Sequence, residues 1–150
     1  MAYKPIIVVA GEPNSIFSEI FLKSIKYKKF KSPIILIASL RLIQQQMKKL
    51  KIYRKIRSVS LPELKKKHLD NRKINLIDVN FSQRKPFDKI SSKSNEYINR
   101  SFDIAIEIIK KKISNKLING PISKKFFLKK NTWVLRNIWH IKQRPKILLC

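Results

Sequence analysis

The sequence predicts an α/β domain in which strands and helices alternate around a largely parallel or mixed sheet. Two observations carry that expectation. Ile6-Ile7-Val8-Val9-Ala10 and Pro33 to Ala38 are short apolar runs without polar alternation, the pattern of strands covered on both faces. Each run is followed by a stretch whose apolar residues recur at helical spacing, with lysines on the far side. At 150 residues, 43% hydrophobic and 29% charged, the chain is long enough for one core and too short for two comfortable ones.

The elements follow in order. The first strand breaks at Gly11-Glu12-Pro13, after which Ser15 can cap a helix carrying Ser18-Glu19 in its first turn and an apolar stripe of Ile16, Ile20, Phe21 and Ile25. The second strand, Pro33 to Ala38, is followed by Ser39 as a cap and by a helix from Leu40 to Leu50 with a basic last turn. Lys55 to Ser60 reads as a short strand, Leu61 to Arg72 as a helical turn or loop, and Ile74 to Val79 as a clearer strand. A polar connection containing Pro86 leads to the longest helix, Ser94 to Ser114. Its wide apolar face is Tyr97, Ile98, Phe102, Ile104, Ala105, Ile108, Ile109 and Ile113, and Lys110-Lys111-Lys112 close it. Leu117-Ile118 then run into Asn119-Gly120-Pro121 as a strand meeting a turn, before a short segment from Ser123 to Lys130.

The net charge of +26 and the isoelectric point near 10.5 raise the possibility of a polyanion-binding protein. A phosphate-binding surface concentrates its cations on one stripe, with aromatic or polar readers among them. Here Lys28-Lys29, Lys48-Lys49, Lys65-Lys66-Lys67 and Lys110-Lys111-Lys112 fall near the ends of separate elements, in a chain rich in Ile and Asn. Those residues, like lysine, have codons rich in A and T, and helix C-termini favour cations in any case. The sequence therefore favours background bias with solvated faces over a nucleic-acid footprint. A single cysteine, Cys150, leaves no intrachain disulfide and suits a reducing cytoplasm. The first apolar run is too short for a signal-peptide core or a membrane span, so the expectation is a cytoplasmic protein without membrane contact.

Both of the chain's two glycines lie in turns that directly follow apolar strand runs. Taken singly, either is a tight turn; glycine also permits the close backbone approach that a bound ligand demands. Together, Ile6 to Pro13, Ser18-Glu19 and Leu117-Ile118-Asn119-Gly120-Pro121-Ile122-Ser123-Lys124 resemble the 4-hydroxythreonine-4-phosphate dehydrogenase family. In that family a first strand runs into Gly-Glu-Pro and a later one into Gly-Pro-Ile-Asn-Lys or a near variant. The stretch Ser94 to Ile109, with Asn95, Tyr97 and Ala105, also resembles the helix preceding the second motif. The likeness runs from about Lys4 to Lys124.

The resemblance implies an isocitrate/isopropylmalate dehydrogenase-like fold and NAD-dependent oxidation, with decarboxylation, of 4-phosphohydroxy-threonine in pyridoxal phosphate synthesis. It further implies a divalent metal and a homodimer in the intact family. Gly11, Glu12, Pro13, Gly120, Pro121 and Lys124 become substrate-cleft candidates, with Lys124 able to pair with a phosphate. The bland readings are an exposed lysine for Lys124 and helix-start electrostatics for Glu12 and Glu19. Asn14-Ser15 and Phe17-Ser18 depart from the family's Ala-Gly and Gly-Pro at the first loop.

The family's metal is held by histidines from segments beyond the matched region. This chain has two histidines, His68 and His140, neither in such a motif, and His68 among lysines reads as a solvated side chain. After Lys124 the family continues to a Gly-His-Thr-Glu-Tyr-type motif, whereas this chain reads Asn131-Thr132-Trp133-Val134-Leu135-Arg136-Asn137-Ile138-Trp139-His140. One permitted codon choice for those residues, read with its first two bases dropped, gives Tyr-Leu-Gly-Ile-Thr-Glu-Tyr-Leu-Ala. The expected division is thus an incomplete α/β domain over 1–130 and an aberrant, frameshifted tail over 131–150, with no catalysis by the truncated chain itself. Two other readings stand beside it: a small basic nucleic-acid-binding protein, and a non-catalytic α/β fragment that associates with another chain.

Overall fold

A computed structural model describes residues 3–65, 69–123, 125, 127 and 147–148. Its elements are β1 (Ile6–Val9), α1 (Phe17–Tyr27), β2 (Ile34–Ala38), α2 (Leu40–Leu50), β3 (Ile56–Ser58), β4 (Ile74–Asp78), α3 (Asn95–Lys110), β5 (Leu117–Asn119) and β6 (Ile147–Leu148). Short 3-10 turns at Pro62–Lys65 and Ser92–Ser94 interrupt the longer connections. The sheet order is β3-β4-β2-β1-β5-β6, and every pairing is parallel. The expected largely parallel or mixed sheet is thus wholly parallel among the described strands.

The two-residue period of a strand divides the core between two layers. Ile7, Val9, Ile35 and Ile37 pack with Ile98, Phe102, Ala105 and Ile108 of α3 on one face. Val8, Ala10, Leu36 and Ala38 pack with Phe21 and Leu22 of α1 and Ile43 and Met47 of α2 on the other. Both faces of β1 and β2 are therefore covered, which is why their sequences show no polar alternation. Each fully buried Ile or Leu here contributes about 1.5–3 kcal/mol relative to an exposed one.

Helix α2 has the predicted bounds because both ends are specified locally. Ser39 Oγ accepts from the Leu42 amide at 3.3 Å, and Lys51 takes a left-handed conformation (φ 54°) that ends the helix. Helix α3 stops at Lys110, short of the expected Ser114. Lys112 turns left-handed (φ 57°) and the Ile113 amide donates back to the Ile108 carbonyl, a Schellman-type stop.

The expected stripe of α1 is corrected in part: Phe21 and Ile25 pack on the core as expected, and Ile16 and Ile20 do not. Ile16 and Ile20 are 65% and 53% exposed, whereas Phe21 and Leu22 are buried and Phe17 and Ile25 pack against the same core. The helix begins at Phe17 with Ser15 Oγ accepting from its amide at 3.2 Å. The buried stripe is Phe17–Phe21–Ile25, one residue on from Ile16 and Ile20.

Candidate functional site

In a parallel sheet, ligands bind beyond the carboxyl ends of strands where the strand order reverses direction. Here β1 leads to β2 on one side, while β5 lies on its other side. The reversal falls between β1 and β5, with α1 and α2 on one face and α3 on the other. The turns leaving these two strands are Gly11-Glu12-Pro13 and Gly120-Pro121, so the structure brings together five of the six residues predicted for the site. The sixth, Lys124, lies outside the described residues.

The turns meet through their backbones. The Glu12 amide donates to the Pro121 carbonyl at 2.8 Å, and the Gly120 amide donates to the Val9 carbonyl at 2.7 Å. Gly11 has φ of +71°, and a Cβ there would lie 2.5 Å from the Pro121 carbonyl oxygen. A Cβ on Gly120 would run into the Ala10 carbonyl oxygen and stand 2.8 Å from Phe17 Cδ2. Each glycine thus makes room for backbone at the junction of the two turns.

Glu12 is 2% exposed. Its Oε2 accepts from Ser94 Oγ at 2.8 Å, and its Oε1 accepts from the Asn14 amide at 3.5 Å. Burial pushes its carboxyl above the usual value, while the Ser94 and Asn14 hydrogen bonds pull in the opposite direction. Ser94 immediately precedes α3, so this hydrogen bond ties the Gly11 turn to the start of a helix 82 residues away in sequence. Glu19 instead pairs with Lys23 on the surface of α1.

Neighbouring polar side chains fix the loops around this junction. Asn14 Oδ1 accepts from Gln83 Nε2 at 2.8 Å and from the Asp88 amide at 2.9 Å. Gln46 Nε2 donates to the carbonyls of Pro13 and Pro86, each at 2.9 Å. Two of the residues at which the first loop departs from the expected pattern therefore have structural work: Asn14 anchors the connection after β4, and Ser15 Oγ accepts from the first amide of α1, whose N-cap is Ile16 rather than the expected Ser15. Beside the junction, Glu12, Ser18, Ser39, Gln46 and Tyr97 line a cavity of about 10 Å³, barely the space of one water. Tyr97 is buried, and burial raises its hydroxyl well above the usual phenol range.

Sequence reasoning did not find Ser94 or Gln46 as members of this site. Their partners are 82 and 33 residues distant, and no local pattern encodes such pairs. Among the described residues no three His, Cys, Asp or Glu side chains gather as a metal site, and His68 and His140 lie outside them. Those residues do not fit the divalent metal of the family. The two glycine turns do not form an open cradle for a pyrophosphate either, because backbone of the facing turn occupies the space that such a group would need. No helix among the described residues is long and apolar enough to cross a membrane.

No protein-family model matches the chain, and no curated protein matches it in sequence. Solved structures do match in fold. A 4-hydroxythreonine-4-phosphate dehydrogenase from Burkholderia phymatum superposes with a TM-score of 0.74 at 13% identity, over 96% of this chain and 45% of that one. The corresponding enzyme from Klebsiella pneumoniae gives 0.74 at 17% identity, over 95% and 45%. This chain therefore has the fold seen in 4-hydroxythreonine-4-phosphate dehydrogenases and spans a little under half the length of those relatives.

Proposed function

We propose that the chain is the part of a 4-hydroxythreonine-4-phosphate dehydrogenase that carries one wall of the substrate cleft, and that it does not catalyse the oxidation by itself. The observation that carries this reading is the meeting of the Gly11 and Gly120 turns at the carboxyl ends of β1 and β5, in a fold shared with such enzymes. In this reading Pro121, exposed at the junction, faces the phosphorylated substrate, while Gly11, Glu12, Pro13 and Gly120 hold the wall in shape. A bound divalent metal would polarise the substrate hydroxyl so that hydride could leave to NAD. The described residues of this chain supply the wall and not that metal site.

The tail, 131–150, belongs to the same proposal as a frameshifted continuation. Only Ile147–Leu148 of it are described, as β6 beside β5. The test has two parts. The purified chain, given 4-phosphohydroxy-threonine, NAD and a divalent cation, should form no NADH, and turnover would overturn the non-catalytic reading. Sequencing the transcript across the Lys129-Lys130 codons should reveal a downstream frame encoding Gly-x-Thr-Glu and histidine motifs. Absence of such a frame would refute the frameshift.

A further inference from the structure

Three of the lysine runs that are separate along the sequence share one end of the fold. In a parallel α/β sandwich the helices run antiparallel to the strands, so helix C-termini and strand amino ends share one end of the molecule. Lys28-Lys29, Lys48-Lys49 and Lys111-Lys112 lie at the C-terminal ends of α1, α2 and α3. They lie at the end of the sheet opposite the Gly11 and Gly120 turns, those of α1 and α2 on one face and that of α3 on the other. The helix dipole accounts for cations there; it does not account for exposed aromatic rings. Tyr27, Phe30 and Tyr53 are 71%, 39% and 72% exposed at this same end.

Rings and cations line connected clefts. One, of about 450 Å³, lies between Tyr27, Phe30, Lys28, Lys29, Arg54 and Lys73 and has no carboxylate in its lining. A second, of about 220 Å³, shares Ile25, Lys26 and Arg54 with the first and continues to Tyr53. Tyr53 and Arg54 also border a third, beside β3. Arg54 stands at the junction of all three: its Nη2 donates to the Asn71 carbonyl at 2.8 Å, and its buried Nε finds no acceptor among the described residues. Lys26 Nζ lies 5.2 Å from the centre of the Tyr27 ring. Arg72, at the rim, is partly neutralised by Asp70.

We propose that this end of the molecule binds single-stranded nucleic acid, its bases stacking on Tyr27, Phe30 and Tyr53 and its phosphates pairing with Lys28, Lys29 and Arg54. Exposed rings interleaved with cations along a groove are what a flexible strand requires, because every base has a stacking face and every phosphate a charge. The rings and cations are spread over three clefts that share Arg54, which favours a strand with several bases over a free nucleotide. The proposal does not depend on the reading of the opposite, carboxyl end of the sheet.

The test is fluorescence anisotropy of the full chain with a labelled oligouridylate of about ten nucleotides, with oligothymidylate as the deoxy counterpart and unlabelled uridine monophosphate and polyphosphate as competitors. Binding of either oligonucleotide tighter than about 100 μM near physiological salt is expected. Tyr27→Ala combined with Tyr53→Ala should weaken it about tenfold or more without changing the salt dependence. Lys28→Gln with Lys29→Gln should instead make the logarithmic salt slope shallower by about 1.4. Because all four side chains are exposed, these variants should fold. If the aromatic variant binds as tightly as the parent chain, the affinity is background charge and the proposal fails. It fails also if uridine monophosphate displaces the strand at a concentration near the strand's own dissociation constant.

Discussion

Replacing Gly120 by alanine puts the junction of the two turns under direct load. The added methyl group would meet the Ala10 carbonyl oxygen and, at 2.8 Å, the Phe17 ring. The ring can rotate away; the carbonyl cannot, because Ala10 lies between β1 and the Gly11 turn and its amide is bonded to the Ile37 carbonyl at 3.1 Å. Relief requires the turns to separate, which strains packing at a cost of about 1–3 kcal/mol. It also stretches the Gly120–Val9 and Glu12–Pro121 hydrogen bonds, each contributing about 1 kcal/mol. The expected loss is about 3–5 kcal/mol, a large part of the ~5–15 kcal/mol by which a domain is stable. Urea unfolding should show a lower midpoint with an unchanged slope. Adding Phe17→Leu should recover less than about 1 kcal/mol, since the side chain is not the decisive contact. Stability of Gly120→Ala within about 1 kcal/mol of the parent would refute the reasoning.

Three further outcomes follow from the same structure. Glu12→Gln should remove a pH dependence: the folded-state pKa of Glu12 is raised by burial, so its contribution is fullest below the unfolded pKa and is lost as pH rises through the folded value. The variant should therefore gain on the parent as pH increases above about 4.5, and a difference that is flat or shrinks with pH would sink the assignment. Lys51→Gly should stabilise the chain by about 0.5–1 kcal/mol, because Lys51 holds φ of 54° at the end of α2 where glycine carries no Cβ penalty; a rise of about 1–4 °C in Tm is the readout, and a fall would contradict it. Asn14→Ala leaves Gln83 Nε2 and the Asp88 amide without their acceptor, so limited proteolysis should cut the 82–91 connection faster in the variant, and an unchanged rate would show that Asn14 does not anchor it.

Much of the fold was legible because its signals are local. The apolar runs of β1 and β2, the Ser39 cap, and the basic end of α2 each act within a few residues, and the structure places them as the sequence predicts. The face of α1 was legible only in part: Phe21 and Ile25 lie on the buried side as expected, whereas Ile16 and Ile20 do not. Ile16 and Ile20 satisfy helical spacing as well as Phe17 and Phe21 do, and the choice between adjacent stripes was made by the packing of α1 against α2 and the sheet. Likewise, the end of α3 was missed because Ile113 belongs to the apolar face while lying beyond a left-handed Lys112. A pattern of apolar residues records which side is buried, not where the backbone stops being helical.

At the candidate site the sequence by itself determined that two glycines would follow two strands, since only glycine tolerates the crowding found there. It also determined the total charge. Tertiary structure alone decided that β1 and β5 are neighbours, so that the two turns touch and Glu12 reaches Ser94. It alone decided that lysine runs on separate helices lie at the opposite end with three exposed aromatic rings. The physical reason is common to both: strand order and helix direction bring together residues far apart in the chain, and spacing along a single sequence carries no measure of that distance.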